Sequence, residues 1–275
     1  MRRNESLIFI HKPGHNKPYC FAPIRIFVDA KNNLTRLIIL IPSYKIYSAG
    51  DHALTIRLGI AITEETHQKV MALFHHLKKD NISAVKEIIP AYTSVTVVYD
   101  IMQAKKHTQI SSHDYIRNAI QQSILQCNWD AAISSALIEI PVCYDESFGI
   151  DLRTMAEQKK ISIEEIINIH TSTVYHVYML GFLPGFAYMG IVDSRIATAR
   201  LQNPRLNVPA GSVGIAGNQT GIYSFDSPGG WTIIGRAALS LFDAAKEKPC
   251  LFEPGNRIQF VPVSKETFEQ IKQQR

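Results

Sequence analysis

Between Gly181 and Arg236 the sequence concentrates residue types that can hold a small polar or anionic ligand. Four segments carry them: Gly181–Tyr188 (GFLPGFAY), Asn203–Ser212 (NPRLNVPAGS), Gln219–Tyr223 (QTGIY) and Ser227–Trp231 (SPGGW). Arg205 and Arg236 are the natural anion partners, because a guanidinium binds carboxylate or phosphate bidentately. Ordinary ion pairs with Asp226 or Asp243 are the alternative. Ala210-Gly211-Ser212 can turn consecutive N–H groups toward an oxyanion, or can simply make a barrel turn. Gln219 offers an amide that reads a carboxylate or ties down a loop. His170, just upstream, can serve as a general acid or base, or can end a helix. Tyr223 and Trp231, with the loop residues Phe182, Pro184, Gly185 and Phe186, can line a pocket or pack a core. The expected constellation is His170, Gln219 and Tyr223 as catalytic groups, with Arg205, Arg236, Gly211 and Ser212 as the anion-binding set.

Other chemistries find less support. There is no HExxH, GxGxxG or GxxxxGK[ST] pattern. No Ser–His–Asp set can be read, since such partners have no fixed spacing. Cys20, Cys127, Cys143 and Cys250 are not spaced as metal ligands or as a redox pair. His11, His15 and Cys20 lack a fourth ligand at usual spacing, so no metal is expected. Unpaired thiols fit a reduced, cytoplasmic protein.

These residues need elements to position them. Residues 181–235 hold ten of the fifteen glycines. Short strands punctuated by Gly and Pro predict a β-barrel or sandwich. The barrel is expected over residues 135–263, opening with a strand at Ala136–Tyr144. A short helix is capped by Ser162 and Glu165 and ends near His170. A strand at Val174–Leu180 follows, and the final strand lies near Leu251–Val261. A polar helical tail occupies 264–275.

Upstream of a linker at 126–134, residues 37–125 predict a small α+β domain. Its strands are Leu37–Ile41, His52–Leu58, Val85–Ile89 and Thr93–Tyr99. Thr63 caps a helix whose Val70, Leu73, Phe74 and Leu77 make an apolar stripe. A second helix from Ser112 carries Ile116, Ala119, Ile120 and Ile124. Strand, helix, strand, strand, helix is the order of a ferredoxin-like layer.

Composition agrees with a folded globular chain: 46% of its 275 residues are hydrophobic and 19% charged. No apolar run approaches the roughly 20 residues of a membrane-spanning helix. The net charge of +5 resides wholly in residues 1–36. The remainder is balanced, so a nucleic-acid-binding surface is not expected. Residues 1–36, proline-broken and aperiodic, read as an unstructured extension.

The combination of GFLPGFAY, NPRLNVPAGSVGIAG, QTGIY, SPGGW and IIGR resembles the family of 5-oxoprolinase B subunits, also called allophanate hydrolase subunit 1. That family includes a sporulation kinase inhibitor. AGDHAL at residues 49–54 and IIPAYTSVTVVYD at 88–100 resemble its first domain, and the likeness covers roughly Ile39–Val263. The chain departs from the family at Ala199 before Arg200, at Ser224 after Tyr223 and at Ala237 after Arg236. The resemblance implies a cyclophilin-like barrel that forms part of an ATP-dependent complex opening 5-oxoproline to glutamate. It implies ATP as co-substrate, and it implies two partners in the 5-oxoprolinase: a homologous C subunit, together with the A subunit. Alternatives within the resemblance are inhibition of a histidine kinase and a urea or allophanate carboxyltransferase role. Biotin would not be carried here, since no Met-Lys-Met sequence is present. Prolyl isomerisation would rest on fold alone.

Overall fold

The computed structural model describes residues 5–8, 24–27, 37–131, 135 and 137–274. The chain divides into two compact units, Met1–Ile133 and Ser134–Arg275.

In the first unit, strands β1 (Glu5–Ile8), β2 (Ile24–Phe27) and β3 (Leu37–Leu40) form a three-stranded antiparallel sheet. The first 36 residues therefore contain two strands, which their lack of periodicity did not disclose. His11, His15 and Cys20, where no metal is expected, lie outside the described residues.

The main sheet contains β4 (Lys45–Ser48), β5 (Ala53–Arg57), β6 (Val85–Pro90) and β7 (Ser94–Tyr99), in the order β4-β5-β7-β6. All neighbours are antiparallel. Helices α1 (Glu64–Asp80), α2 (Ile101–Lys106) and α3 (Ser112–Gln126) complete the unit. Thr63 caps α1 by accepting a hydrogen bond from the Thr66 amide at 3.1 Å. Asn81 ends the helix in the left-handed conformation. The expected stripe is buried, and it packs with Leu54, Ile56, Val95, Val97 and Tyr99 of the sheet and Ile116, Ile120 and Ile124 of α3.

Strand–helix–strand–strand–helix is thus present, but the ferredoxin-like order needs correcting. The edge strand beside β5 is β4, which comes before the unit's first helix instead of after its second. It escaped notice because three of its four residues are exposed, so no alternation marks it.

The second unit is a closed seven-stranded barrel. Its strands are β8 (Leu137–Cys143), β9 (Val174–Leu180), β10 (Ala187–Gly190), β12 (Ser212–Ala216), β13 (Gln219–Ile222), β15 (Thr232–Ala237) and β16 (Arg257–Pro262). They run in the order β10-β13-β12-β15-β8-β16-β9, and β9 pairs with β10 to close the ring. The first and last strands, β8 and β16, run parallel; the other ladders are antiparallel. A separate ribbon joins β11 (Arg205–Val208) to β14 (Ser227–Gly229).

Strand alternation sends one set of side chains inward. Ile140, Val142, Tyr175, Val177, Met189, Val213, Ile215, Ile222, Ile234, Ile258 and Phe260 fill a continuous core. Helices α4 (Leu152–Lys159) and α5 (Ile163–Ser172) add Leu152, Met155, Ile166 and Ile169 to it. Helix α4 was not anticipated, because only two of its eight residues are buried. The last strand starts at Arg257, not Leu251. A turn intervenes at Glu253–Asn256, where Gly255 has φ +91° and Asn256 Oδ1 accepts from the Glu253 amide. Helix α6 (Lys265–Gln273) buries Phe268.

Among the described residues no helix is long and apolar enough to cross a membrane. Replacing Thr63 by Ala removes the cap of α1 and should destabilise the first unit by about 1 kcal/mol. Urea denaturation followed by helix content measures this, and an unchanged midpoint would show the cap to be idle.

Candidate functional site

The loop before β10 is a β-turn built by its sequence. Pro184 and Gly185 occupy its central positions, Gly185 has φ +78°, and the Phe186 amide donates to the Leu183 carbonyl at 3.0 Å. A Cβ at Gly185 would lie 2.8 Å from the Leu241 carbonyl oxygen. The turn sets Phe186 onto the outer face of the barrel wall. There it meets Tyr188, Tyr223 and Trp231 edge-on, at ring separations of 4.8, 5.4 and 5.5 Å. Phe182 stands edge-on to Phe186 at 5.5 Å and is 59% exposed.

Two glycines make room for this cluster. At Gly221 a Cβ would lie 3.1 Å from both Phe186 Cζ and Trp231 Cζ3. At Gly229 it would lie 2.3 Å from the Tyr223 hydroxyl oxygen. Phe186, Tyr223 and Trp231 are therefore almost wholly buried against one another. Phe182, Tyr188 and the side chains around them form the accessible rim. Tyr223 also hydrogen-bonds the Trp231 backbone, and burial raises its pKa. It is a packing pillar with a protonated hydroxyl, not the exposed catalytic group expected.

Arg205 borders the cluster, but its charge is committed. Its guanidinium pairs with the Asp151 carboxylate, which also accepts from the Ile233 amide at 2.7 Å. Neither Asp226 nor Asp243 is its partner. Asp226 instead accepts from the Ala210 amide at 2.7 Å. Sequence reasoning passed over Arg200, whose guanidinium carbon lies 5.9 Å from the Trp231 ring centroid. A hydrogen bond from the Leu201 amide to the Gly230 carbonyl, 2.7 Å long, ties the next residue beside Trp231. Nothing local in the sequence marks this contact, because Arg200 and Trp231 are far apart along the chain.

The anticipated oxyanion cradle at Ala210-Gly211-Ser212 is absent. All three N–H groups are already used: Ala210 donates to Asp226, Gly211 to the Tyr223 carbonyl at 2.7 Å, and Ser212 to the Pro209 carbonyl at 3.1 Å. Gly211 has φ +81°, and a Cβ there would lie 2.8 Å from the Ala237 carbonyl oxygen. The small residues serve a tight turn. This backbone does not fit a nucleotide phosphate.

Arg236 sits apart from the aromatic cluster. It pairs in register with Ser212 on one side and Cys143 on the other, and its guanidinium lies 5.0 Å from the Phe148 ring centroid. Arg236 Nε and the buried Ser212 Oγ have no hydrogen-bond partner among the described residues.

His170 points into the barrel interior and is fully buried. The Thr220 hydroxyl donates to the Gly214 carbonyl at 3.1 Å, so its oxygen accepts from His170 Nε2–H at 3.0 Å. Nδ1 then accepts from the Tyr144 hydroxyl at 2.8 Å. The ring stacks on Phe260 at 4.5 Å. Burial pushes its pKa down to about 3. A neutral imidazole with both nitrogens bonded and no exposed surface is a core brace, not a general base. Gln219, half-buried at the start of β13, pairs across the sheet with Gly190 and Ala216. The expected convergence of His170, Gln219 and Tyr223 is therefore broken by the barrel wall, with Thr220 facing in and Gly221 facing out.

A small cleft of about 260 Å³ lies in the first unit among Tyr44, Lys45, Tyr47 and Arg57, and none of the predicted site residues lines it. Among the described residues no three His, Cys, Asp or Glu side chains are placed to hold a metal.

Residues 44–252 match the family described as carboxyltransferase domain, subdomain C and D, and the chain belongs to that family. It is 39% identical to the 5-oxoprolinase B subunit of Bacillus subtilis (strain 168) over 234 residues, which are 84% of this chain and 98% of that one. It is 36% identical to the 5-oxoprolinase B subunit of Escherichia coli O157:H7 over 220 residues, 78% of this chain and 94% of that one. The crystal structure of TTHA0988 superposes with a TM-score of 0.67 at 31% identity, covering 77% of this chain and 40% of that one. This chain thus spans about two fifths of TTHA0988.

Two outcomes test the assignments. Gly229→Ala should displace Tyr223 and destabilise the second unit by about 1–3 kcal/mol; a change below about 0.5 kcal/mol by urea denaturation would contradict the contact. For His170 the folded pKa lies below the usual 6.5. Stability is therefore full above pH 6.5 and is lost as pH falls toward 3, because only the unfolded chain takes up the proton. Between pH 6 and 4 the stability gap between wild type and His170→Gln should shrink by about 1.4 kcal/mol per pH unit. A constant gap would refute the buried neutral imidazole.

Proposed function

We propose that this chain is the B subunit of a cytoplasmic, ATP-dependent 5-oxoprolinase that opens 5-oxo-L-proline to L-glutamate. The observation that carries the reading is likeness over 98% of the length of a 5-oxoprolinase B subunit. The barrel's outer face supports it: flat aromatic edges beside guanidinium groups suit a small, flat lactam bearing a carboxylate. The described cysteines, Cys127, Cys143 and Cys250, are free thiols, in keeping with a reducing compartment.

The chain's own contribution is binding and positioning. His170 is sealed in the core and Tyr223 is held protonated, so neither supplies a base at the surface. The Ala210–Ser212 amides are already bonded internally, so in this reading that turn does not hold the nucleotide, whose site is shared with the partner subunit. Phe182 stands exposed at the rim, and in this reading the C subunit covers it to complete the site and exclude water. The A subunit then completes ring opening.

Purified alone, the chain should hydrolyse no ATP in response to 5-oxoproline. Mixed with its C and A partners, it should release glutamate and phosphate. Glutamate production by this chain alone would overturn the partner requirement, and a complete trio that leaves 5-oxoproline untouched would overturn the function.

A further inference from the structure

Four arginines lie between Gly181 and Ala237, and their surroundings separate them; Arg195 is paired with Asp193 at 2.9 Å. Arg205 is neutralised by Asp151, which is itself only 14% exposed and held by the Ile233 amide. Arg236 lies over Phe148, on a part of the wall occupied by Cys143, Ala238 and Phe268. Arg200 is exposed, makes no ion pair with a described residue, and lies over the Trp231 ring.

Its position is defined on both sides. Two residues before it, Thr198 bridges to Gly217 as an isolated antiparallel pair. One residue after it, the Leu201 amide donates to the Gly230 carbonyl. These tethers restrict the backbone to the edge of the aromatic cluster. The charge also reaches the neighbouring hydroxyls: Arg200 opposes the burial-driven rise in the pKa of both Tyr188 and Tyr223. A guanidinium over an indole face keeps its in-plane N–H donors available at its edge.

We propose that Arg200 is the receptor for the substrate carboxylate, gripping it bidentately while the flat ring of the substrate lies against Phe182 and Tyr188. The inference rests on the 5-oxoprolinase reading and specifies which cation of that site reads the acid group. The ligand class is a small cyclic amide bearing one carboxylate. Arg205 then serves as a positioning residue that fixes the β11–β14 ribbon beside Trp231. A nucleotide phosphate at Arg200 is the competing source of the same anion chemistry, and the experiment separates the two.

The test uses the reconstituted three-part complex, with this chain as wild type, Arg200→Gln or Arg200→Lys. Arg200 is exposed, so both variants should melt with the wild type. Loss of a charge-assisted pair should raise the KM for 5-oxoproline about 10- to 100-fold in Arg200→Gln. The KM for ATP should not move, and kcat should change less than KM. Arg200→Lys should recover part of the loss. Preference for 5-oxoproline over the carboxylate-free lactam 2-pyrrolidinone should collapse in Arg200→Gln. An unchanged KM for 5-oxoproline, or a rise confined to ATP, would overturn the proposal.

A binding arm keeps this distinct from the function itself. Titration of the wild-type complex with 5-oxoproline, followed calorimetrically, should give saturable binding that Arg200→Gln loses and that 2-pyrrolidinone does not reproduce. Binding of this kind without turnover would sink the 5-oxoprolinase reading and support the carboxylate receptor. Equal binding of 5-oxoproline by wild type and Arg200→Gln, or no binding by wild type, would overturn the receptor.

Discussion

The second unit is organised around one buried imidazole in a largely apolar barrel. The His170 imidazole bonds to Tyr144 just after β8 and to Thr220 on β13, and through Thr220 to the Gly214 carbonyl on β12. It also packs against Phe260 on β16 and Tyr175 on β9. One side chain of α5 therefore touches three strands of the ring directly, bonds Tyr144 just beyond a fourth, and reaches β12 through Thr220. A buried imidazole without partners would cost several kcal/mol. With both nitrogens matched it instead specifies which helix face enters the barrel and at what depth. The interaction works only for the neutral ring, so the same burial that removes His170 from surface chemistry makes it structurally exacting.

The wall that holds this brace also separates two environments. Along β13, Thr220 and Ile222 face the apolar interior, whereas Gly221 faces outward beneath Phe186 and Trp231. The outer face has its own hydrophobic cluster, distinct from the barrel core. Asp151 fastens the ribbon to this face, since one carboxylate oxygen takes Arg205 and the other takes the β15 amide of Ile233. Rigid packing beneath, a pinned arginine at the side and an arginine at the rim without an ion pair among the described residues give a surface that is preorganised yet open. That combination suits a surface that positions a ligand.

Much of the fold was legible because burial imposes a period on the chain. The α1 stripe, the alternation of β5 and β7 and the Ser162 cap of α5 all follow from local rules that the tertiary structure obeys. Elements with little buried surface left no such trace, as with β4 and α4, and the two strands within residues 1–36 gave no periodic signal either. The site was legible in part. Phe182, Phe186, Tyr223 and Trp231 do come together, as their recurrence beside Gly and Pro suggested. The inward turn of His170, the Asp151 partner 54 residues before Arg205 and the placement of Arg200 all depend on contacts distant in sequence.

The glycine-rich segments show how composition alone misleads about anion binding. Glycine permits an exposed row of N–H donors, but it equally permits the backbone or a ring to approach where a Cβ would stand. Here the second use prevails at three of the glycines. At Gly211 the neighbour is the Ala237 carbonyl, at Gly221 the Phe186 and Trp231 rings, and at Gly229 the Tyr223 hydroxyl. The amides of Ala210, Gly211 and Ser212 are already satisfied by a carboxylate and two carbonyls, so an incoming phosphate would have to displace internal bonds and leave those acceptors unpaired. A side-chain cation with no internal carboxylate faces no such competition. Positive charge at the rim, rather than backbone donors in the turn, is therefore what this barrel can offer an anion.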